Sequence, residues 1–331
     1  MQFTIPIHIK SLEPALTYRD KILLIGSCFT EHIGGYLANV KFNTLQNPNG
    51  IVFDPLSVCS SLQGYINNKQ YSLDDLFELN EAWHSWQHHS RFSGMHKAEV
   101  LENINASQQN AHWFLKDTDW LIITLGTSFS YQLINENLIQ PRAVANCHKA
   151  PAANFKKHLC TIEETVTALD ETVFKLFHFN PKLKIIFTVS PVRHIKDGVV
   201  DNNRSKARLI EAAHHLVNKF DRLYYFPAYE LVVDVLRDYR FYDADLVHPN
   251  YAATNYVLEK FTESCIDTAS AKLMEEVKKI ITSKNHKPFN PQSKQHKQFL
   301  QLNLERVNEL QQKYTYLDFN EEIEYFREQL K

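Results

Sequence analysis

Lys21-Ile22-Leu23-Leu24-Ile25-Gly26-Ser27-Cys28 is the stretch that decides the fold. Four aliphatic side chains in a row suit a strand buried on both faces, as in a parallel sheet. Gly26 breaks the strand, and a helical pattern follows over about Thr30–Ala38. The same sequence grammar returns at Trp120–Leu125 (WLIITL), closed by Gly126, and at Lys184–Val189 (KIIFTV), closed by Ser190-Pro191. Shorter strands are expected at about Lys41–Leu45 and Tyr224–Phe226. Helical stretches lie between them: one starting at Asp54-Pro55, where Asp suits the N-cap and Pro the first helical position, then Ala98–Leu115, 158–178 and Arg204–Phe220. Strands alternating with helices predict an α/β fold with a mostly parallel five-stranded sheet.

The 331 residues allow one large domain with additions, or two ordinary ones. Apolar residues make up 44% and aromatics 12%, which excludes a wholly disordered chain. The 36 Lys and Arg nearly balance the 38 Asp and Glu, so no global field draws the chain to nucleic acid or to an anionic membrane. Glycine occurs only 8 times, which counts against Gly-rich phosphate loops and leads one to expect a backbone reason for each glycine. The five cysteines are odd in number and widely spaced, so neither a disulfide framework nor a zinc finger is indicated. The first ten residues lack a signal-peptide pattern, and no run of 18 apolar residues exists, so the expectation is a cytoplasmic protein.

Residues 1–260 are read as one α/β domain carrying an insertion at about 70–96, rich in Trp and His. Residues 261–331 are read as a helical extension. It comprises a helix over 266–283, a polar linker at about 284–296, and one or two amphipathic helices over 297–329. A Leu/Tyr stripe on those last helices would suit homo-oligomer formation.

Sites in open α/β sheets form beyond the carboxyl ends of the strands. Gly26-Ser27-Cys28, Asn49-Gly50, Gly126-Thr127-Ser128 and Asp245-Leu246-Val247-His248 gather at such ends. Their order resembles the SGNH (GDSL-type) hydrolases. Cys28 stands where that family has its nucleophilic Ser, and Ser27 where it has Asp. Gly50 matches the second block, Gly126-Thr127-Ser128 the third with Ser128 in place of Asn, and Asp245 and His248 the last. The narrower match is to the GSCFA family, a bacterial group related to those hydrolases. It rests on IGSCFTEHIG (Ile25–Gly34), VANCHK (Val144–Lys149), SPVRH (Ser190–His194) and LRDYRFY (Leu236–Tyr242) followed by Asp245-x-x-His248-Pro249. Thr30 departs from the Ala in the family's name.

The resemblance implies a three-layer α/β/α sandwich and acyl chemistry: an esterase, or an acyltransferase acting on an acylated small molecule or glycan, without cofactor or metal. Cys28 would be the nucleophile at a helix N-terminus, where the dipole favours a thiolate. His248 would be the base and Asp245 would orient its ring. Backbone N–H groups of Cys28 and Gly50, with Ser128 or Asn146 side chains and the Gly126 turn, would receive the oxyanion. His89, His148 and Arg193 would line the pocket, with Arg193 suited to an anionic group. Three alternatives stay open at this level. Cys28 is an inert core residue, Ser27 is the nucleophile, or the scaffold is a non-catalytic binding module for a small polar ligand. His84 and His88 have i, i+4 spacing, but with His89 and His96 they show no convincing helical frame for a metal.

Overall fold

The computed structural model describes residues 5–134 and 142–331. Its central sheet has strands β1 (Lys21–Gly26), β2 (Asn43–Gln46), β5 (Trp120–Leu125), β9 (Lys184–Val189) and β10 (Leu223–Tyr225), in the order β10-β9-β5-β1-β2. Every pairing in it is parallel. The aliphatic run of β1 is buried on both faces. Ile22 and Leu24 enter one core with Trp120, Ile122 and Ile186, while Leu23 and Ile25 enter the other with Leu121, Ile123 and Phe187. Strict alternation between two cores makes the continuous apolar run necessary.

Helices α1 (Cys28–Asn39), α7 (Tyr251–Cys265) and α8 (Thr268–Lys284) contribute to the first core. Helices α2 (Pro55–Ile66), α3 (Lys97–Lys116), α4 (Ile162–Phe179) and α5 (Val199–Lys219) contribute to the second. The result is a three-layer α/β/α arrangement. Asp54 caps α2 through Ser57 N at 3.1 Å, with Pro55 in the first turn, as its sequence predicts. A short helix α6 (Ala228–Glu230) continues as a π-turn through Leu236.

Two small sheets depart from the sequence reading. Residues 70–96 contain the hairpin β3 (Phe77–Leu79) and β4 (Ala82–His84). A three-stranded antiparallel sheet has β6 (Phe129–Leu133) between β7 (Arg142–Val144) and β8 (Phe155–Leu159). The helix expected to start at 158 starts at Ile162, behind a capping box in which Thr161 and Glu164 cap each other's N–H groups.

The C-terminal helices α8, α9 (Lys294–Lys313) and α10 (Asn320–Leu330) do not build a separate core. Val277, Val307, Phe319 and Phe326 share one continuous cluster with Ile22, Phe29 and Trp120. Phe319 and Phe326 are fully buried, each worth roughly 2–3 kcal/mol of apolar transfer. Beside them Lys41 Nζ pairs with Glu322 at 2.8 Å, and the Glu322 side chain is only 2% exposed. Among the described residues, no helix is long and apolar enough to cross a membrane.

Candidate active site

The sheet order places the switch point between β1 and β5, because the chain leaves β1 for β2 on one side and returns to β5 on the other. Gly26, at the end of β1, has φ +149°, and a Cβ there would lie 2.2 Å from the Thr124 carbonyl oxygen on β5. Glycine therefore lets the chain turn tightly against β5 before α1 begins. Gly26 N–H donates to the Asn47 side chain at 2.9 Å, and Ser27 N–H to Thr124 O at 3.1 Å.

Ser27 is the N-cap of α1. Its hydroxyl oxygen accepts from Phe29 N–H at 3.3 Å, and the residue is buried. Cys28 follows as the first helical residue and is half-buried. Burial raises its thiol pKa, while backbone N–H groups of Phe29 and Cys28 and the charge of Lys206 pull the other way. The helix terminus thus supports a thiolate, but burial outweighs it at rest.

The Asp245–Pro249 loop is held beside the loop that follows β9. His248 Nδ1 lies 2.7 Å from Asp245 Oδ2, while Asp245 Oδ1 accepts from the N–H groups of Val247 at 2.9 Å and His248 at 3.0 Å. These three bonds, the histidine's first, hold the Asp245 carboxyl down to about 2. The same bonds fix the ring so that Nε2 faces away from Asp245. His32, one turn along α1 from Cys28, lies within electrostatic reach of His248, as does His194. Arg193 N–H donates to Val247 O at 3.1 Å, tying the loop after β9 to the loop that carries His248.

Several residues expected to receive an oxyanion are engaged elsewhere. Gly50 N–H closes the Asn47–Gly50 turn on Asn47 O at 2.7 Å, and Gly126 N–H donates to Phe53 O at 2.8 Å. Ser128 is fully buried; its N–H donates to Ser205 Oγ at 2.7 Å and its hydroxyl to Ser205 O at 3.2 Å. Asn146 differs: its Oδ1 accepts from His148 N–H at 2.8 Å, a bond that does not use its amide N–H donors. Gly50 has a different evident role. Its φ is +77° and a Cβ would sit 2.2 Å from His89 Cβ, so the bare glycine lets the 70–96 insertion dock. His89 N–H donates to Asn49 O at 2.8 Å, and Arg91 bonds Asn47 O. His89 therefore sits at the rim, its Nδ1 accepting from Arg91 N–H at 3.3 Å.

His148 belongs to the insertion's ring cluster, with Nε2 2.8 Å from Ser85 O and its ring 4.6 Å from that of His84. His84 and His88 lie on β4 and in the turn after it, and bond Ser93 at 2.7 Å and Ser85 at 2.9 Å. They share no helix face, which removes the i, i+4 metal reading. Arg193 lies over the rings of Tyr242 at 4.2 Å and Tyr239 at 5.0 Å. It borders a cavity of about 500 Å³ with Asn202, Tyr229, Tyr239 and Leu246. A cavity of about 590 Å³ lies between residues 7–12 and β10, and neither Cys28 nor His248 lines it. At the β8–α4 corner the donor atoms of His158, Cys160 and Glu164 lie within 4.8 Å of one another. There His158 and Glu164 already bond each other at 2.7 Å.

Two further residues stand out, of which the SPVRH motif already marks His194 as a pocket residue. His194 is half-buried against Phe53, with ring centroids 5.3 Å apart, and burial lowers its pKa to about 4. Lys206 is fully buried on α5 and donates to the carbonyls of Gly126 and Ser190. It lies on the buried side of that helix with Asn202, Leu209, Ala213 and Leu216.

The GSCFA family model matches residues 21–261. The chain belongs to the GSCFA family. The model of the C-terminal domain of GSCFA domain proteins matches residues 277–331, covering most of α8 and all of α9 and α10. No curated protein matches this GSCFA chain. Among solved structures it is similar to an acetyl xylan esterase (Est2A) from the rumen bacterium Butyrivibrio proteoclasticus, with 11% identity and a TM-score of 0.37. That match covers 75% of this chain and 64% of the esterase, so this chain spans less than two thirds of the esterase's length.

Proposed function

We propose that this GSCFA protein is an acyl-ester hydrolase or acyltransferase that uses Cys28 as nucleophile. The observation that carries the reading is the 2.7 Å Asp245–His248 bond, on a loop tied to the segment after β9 in the sheet whose β1 leads into Cys28. Asp245 fixes the ring's tautomer, and Nε2 accepts the thiol proton. The sulfur attacks the ester carbonyl, and the oxyanion is received by the Cys28 N–H at the start of α1. When the carbon–oxygen bond breaks, the leaving alkoxide takes the proton from His248. Water, or a second hydroxyl, then attacks the thioester with His248 again as base, releasing the acid or a new ester. A protonated thiol at rest makes this base necessary. Cys28 is preferred over Ser27, whose oxygen caps α1.

An O-acylated carbohydrate fits as substrate. The cavity beside the His248 loop offers the rings of Tyr229 and Tyr239, the Asn202 amide and Arg193, which suit sugar faces and hydroxyls. A second reading, a non-catalytic module for a small polar ligand, draws on the engaged Gly50 and Ser128 donors.

The deciding experiment is turnover of p-nitrophenyl acetate by wild type, Cys28→Ala, Ser27→Ala and His248→Ala, with intact-mass detection of acylated protein. An acyl adduct that vanishes with Cys28→Ala, and turnover that slows with His248→Ala, is the expected result. Loss with Ser27→Ala alone would move the nucleophile by one residue. A Cys28 that is never acylated and no more reactive to iodoacetamide than the buried cysteines would favour the binding module.

A further inference from the structure

We propose that the corner between β8 and α4 is a zinc site, in which His158 Nε2, Cys160 Sγ and a Glu164 carboxylate oxygen hold the ion and water completes its coordination. The inference does not depend on the Cys28 chemistry, and its test needs no ester turnover.

His158 and Cys160 stand one residue apart at the end of β8, where the alternation of an extended chain turns their side chains to one face. α4 starts directly after them, and its capping box folds Glu164 back toward the strand: Glu164 Oε2 accepts from Thr161 N–H at 2.7 Å. The same oxygen lies 2.7 Å from His158 Nε2. Glu164 Oε1 takes no hydrogen bond among the described residues and is free for an ion. The donor atoms of the three side chains all lie within 4.8 Å of one another. A tetrahedral zinc with bonds of about 2.0–2.3 Å sets its ligand atoms roughly 3.3–3.8 Å apart. Closing the set therefore asks for side-chain shifts of about 1 Å, with the His158–Glu164 pair opening around the metal.

Two observations point to a cation rather than to a plain hydrogen-bonded corner. Cys160 is fully buried, and its sulfur, aimed into the cluster, makes no hydrogen bond among the described residues. A buried thiol ordinarily packs as a small hydrophobe, whereas this one meets an imidazole and a carboxylate. Beside the cluster lies a cavity of about 490 Å³, lined by His158, Gln132 and the three carboxylates Glu163, Glu164 and Glu171. Among the described residues, no lysine or arginine pairs with any of the three, so the cavity draws cations and gives an ion and its water a way in. Arg208 approaches from α5, but its guanidinium is engaged on the carbonyls of Leu159 at 2.9 Å and Cys160 at 2.8 Å, which fixes the backbone that carries the sulfur. One thiolate, one imidazole and one carboxylate suit zinc, which takes all three, and not magnesium or calcium, which take oxygen. Binding displaces the thiol proton to solvent and leaves the thiolate on the metal. Cys160 N–H donates to Ser128 O at 2.9 Å, so the bound ion ties the start of α4 to the segment after β5.

The test is titration of the full-length, tag-free, metal-stripped protein with cobalt(II), a spectroscopic stand-in for zinc, followed by competition with zinc. One equivalent of cobalt is expected to bind with a thiolate-to-metal charge-transfer band in the near ultraviolet, and zinc should erase the band. Cys160→Ser should abolish it. His158→Ala and Glu164→Gln should weaken zinc binding by at least the roughly 10–100-fold that losing an outer-shell partner costs. Glu164→Gln keeps a side chain able to cap Thr161 N–H. Zinc at about 100 times its Kd should raise the wild-type thermal midpoint by about 4 °C and leave that of Cys160→Ser unmoved. Absence of cobalt binding, or a cobalt spectrum without the thiolate band, would overturn the proposal. So would a band that survives Cys160→Ser, because another of the five cysteines would then hold the metal. If Cys160→Ser does not fold, His158→Ala and Glu164→Gln decide, and wild-type zinc affinity in both would overturn it. Zinc binding in a protein whose Cys28 is never acylated would separate this inference from the esterase reading.

Discussion

Replacing Gly26 by alanine tests the geometry that delivers Cys28 to the sheet edge. The new methyl would stand 2.2 Å from the Thr124 carbonyl oxygen and 2.8 Å from Thr30 Oγ1. The carbonyl is backbone and accepts the Ser27 N–H, so it has little room to move. Holding a side chain at φ +149° costs roughly 1–3 kcal/mol, and forcing a methyl into occupied space roughly another 1–3. The sum is about 2–6 kcal/mol. At roughly 2.1 cal/mol/K per residue, unfolding 331 residues carries an entropy of about 0.7 kcal/mol/K. The thermal midpoint should therefore fall by about 3–9 °C. Gly35 is the control, because it lies inside α1 with nothing within 4 Å of its Cβ position. Gly35→Ala should gain about 0.5–1 kcal/mol and raise the midpoint by about 1 °C. Calorimetry on both variants, with the Cys28 alkylation rate measured alongside, gives the readout. A Gly26→Ala protein with the wild-type midpoint and alkylation rate would refute the argument, since β1 and β5 would then have room at the switch point.

Three further outcomes are expected. The half-buried His194, held near 4 against about 6.5 when unfolded, favours the fold above pH 6.5, and this is lost as pH falls toward 4. Urea titrations at pH 7 and 4 should show wild type losing about 3 kcal/mol more than His194→Asn, and equal losses would contradict it. Lys41→Met leaves Glu322 with Lys284 at 3.8 Å and should cost about 2–3 kcal/mol in urea unfolding. The double variant Lys41→Met/Glu322→Leu should recover most of that loss, and a double variant no more stable than Lys41→Met would refute the argument. Gly50→Ala places a methyl 2.2 Å from His89 Cβ and should loosen the 70–96 insertion, seen as faster proteolysis within it. Unchanged cleavage would mean that His89 yields freely.

The parts of this structure that the sequence made legible are those with a one-dimensional signature. The runs at 22–25, 120–123 and 185–187 face two cores at once, so they are apolar throughout, and their short length with a Gly or Pro at the end marks them as strands. The Asp54-Pro55 start of α2 and the Asp245–His248 pair are local, and local spacing displays them. β6 and β8, FSYQL and FKKHL, mix polar and apolar residues because the small sheet they form is only partly covered. The helix reading of 158–178 therefore swallowed the end of β8, although the Thr161–Glu164 capping box marked the true start. Gly50 read as an oxyanion donor because a glycine at a strand end fits both roles, and only the approach of His89 from elsewhere in the chain separates them. Lys206 escaped because a lysine reads as solvated surface until three dimensions bury it.

The single core shared by β1 and the last helices has a consequence for synthesis. The cluster that holds Ile22 is not complete until Phe319 and Phe326 have left the ribosome, about 200 residues after Trp120. At roughly 10 residues per second that interval is about 20 s, during which the apolar side of α8 that α10 will cover stays wet and adhesive. The nascent chain is thus a client for chaperones until its final helices emerge. A stop codon placed before them would release a chain whose sheet is covered but whose α8 is bare on its outer side, whatever the state of Cys28.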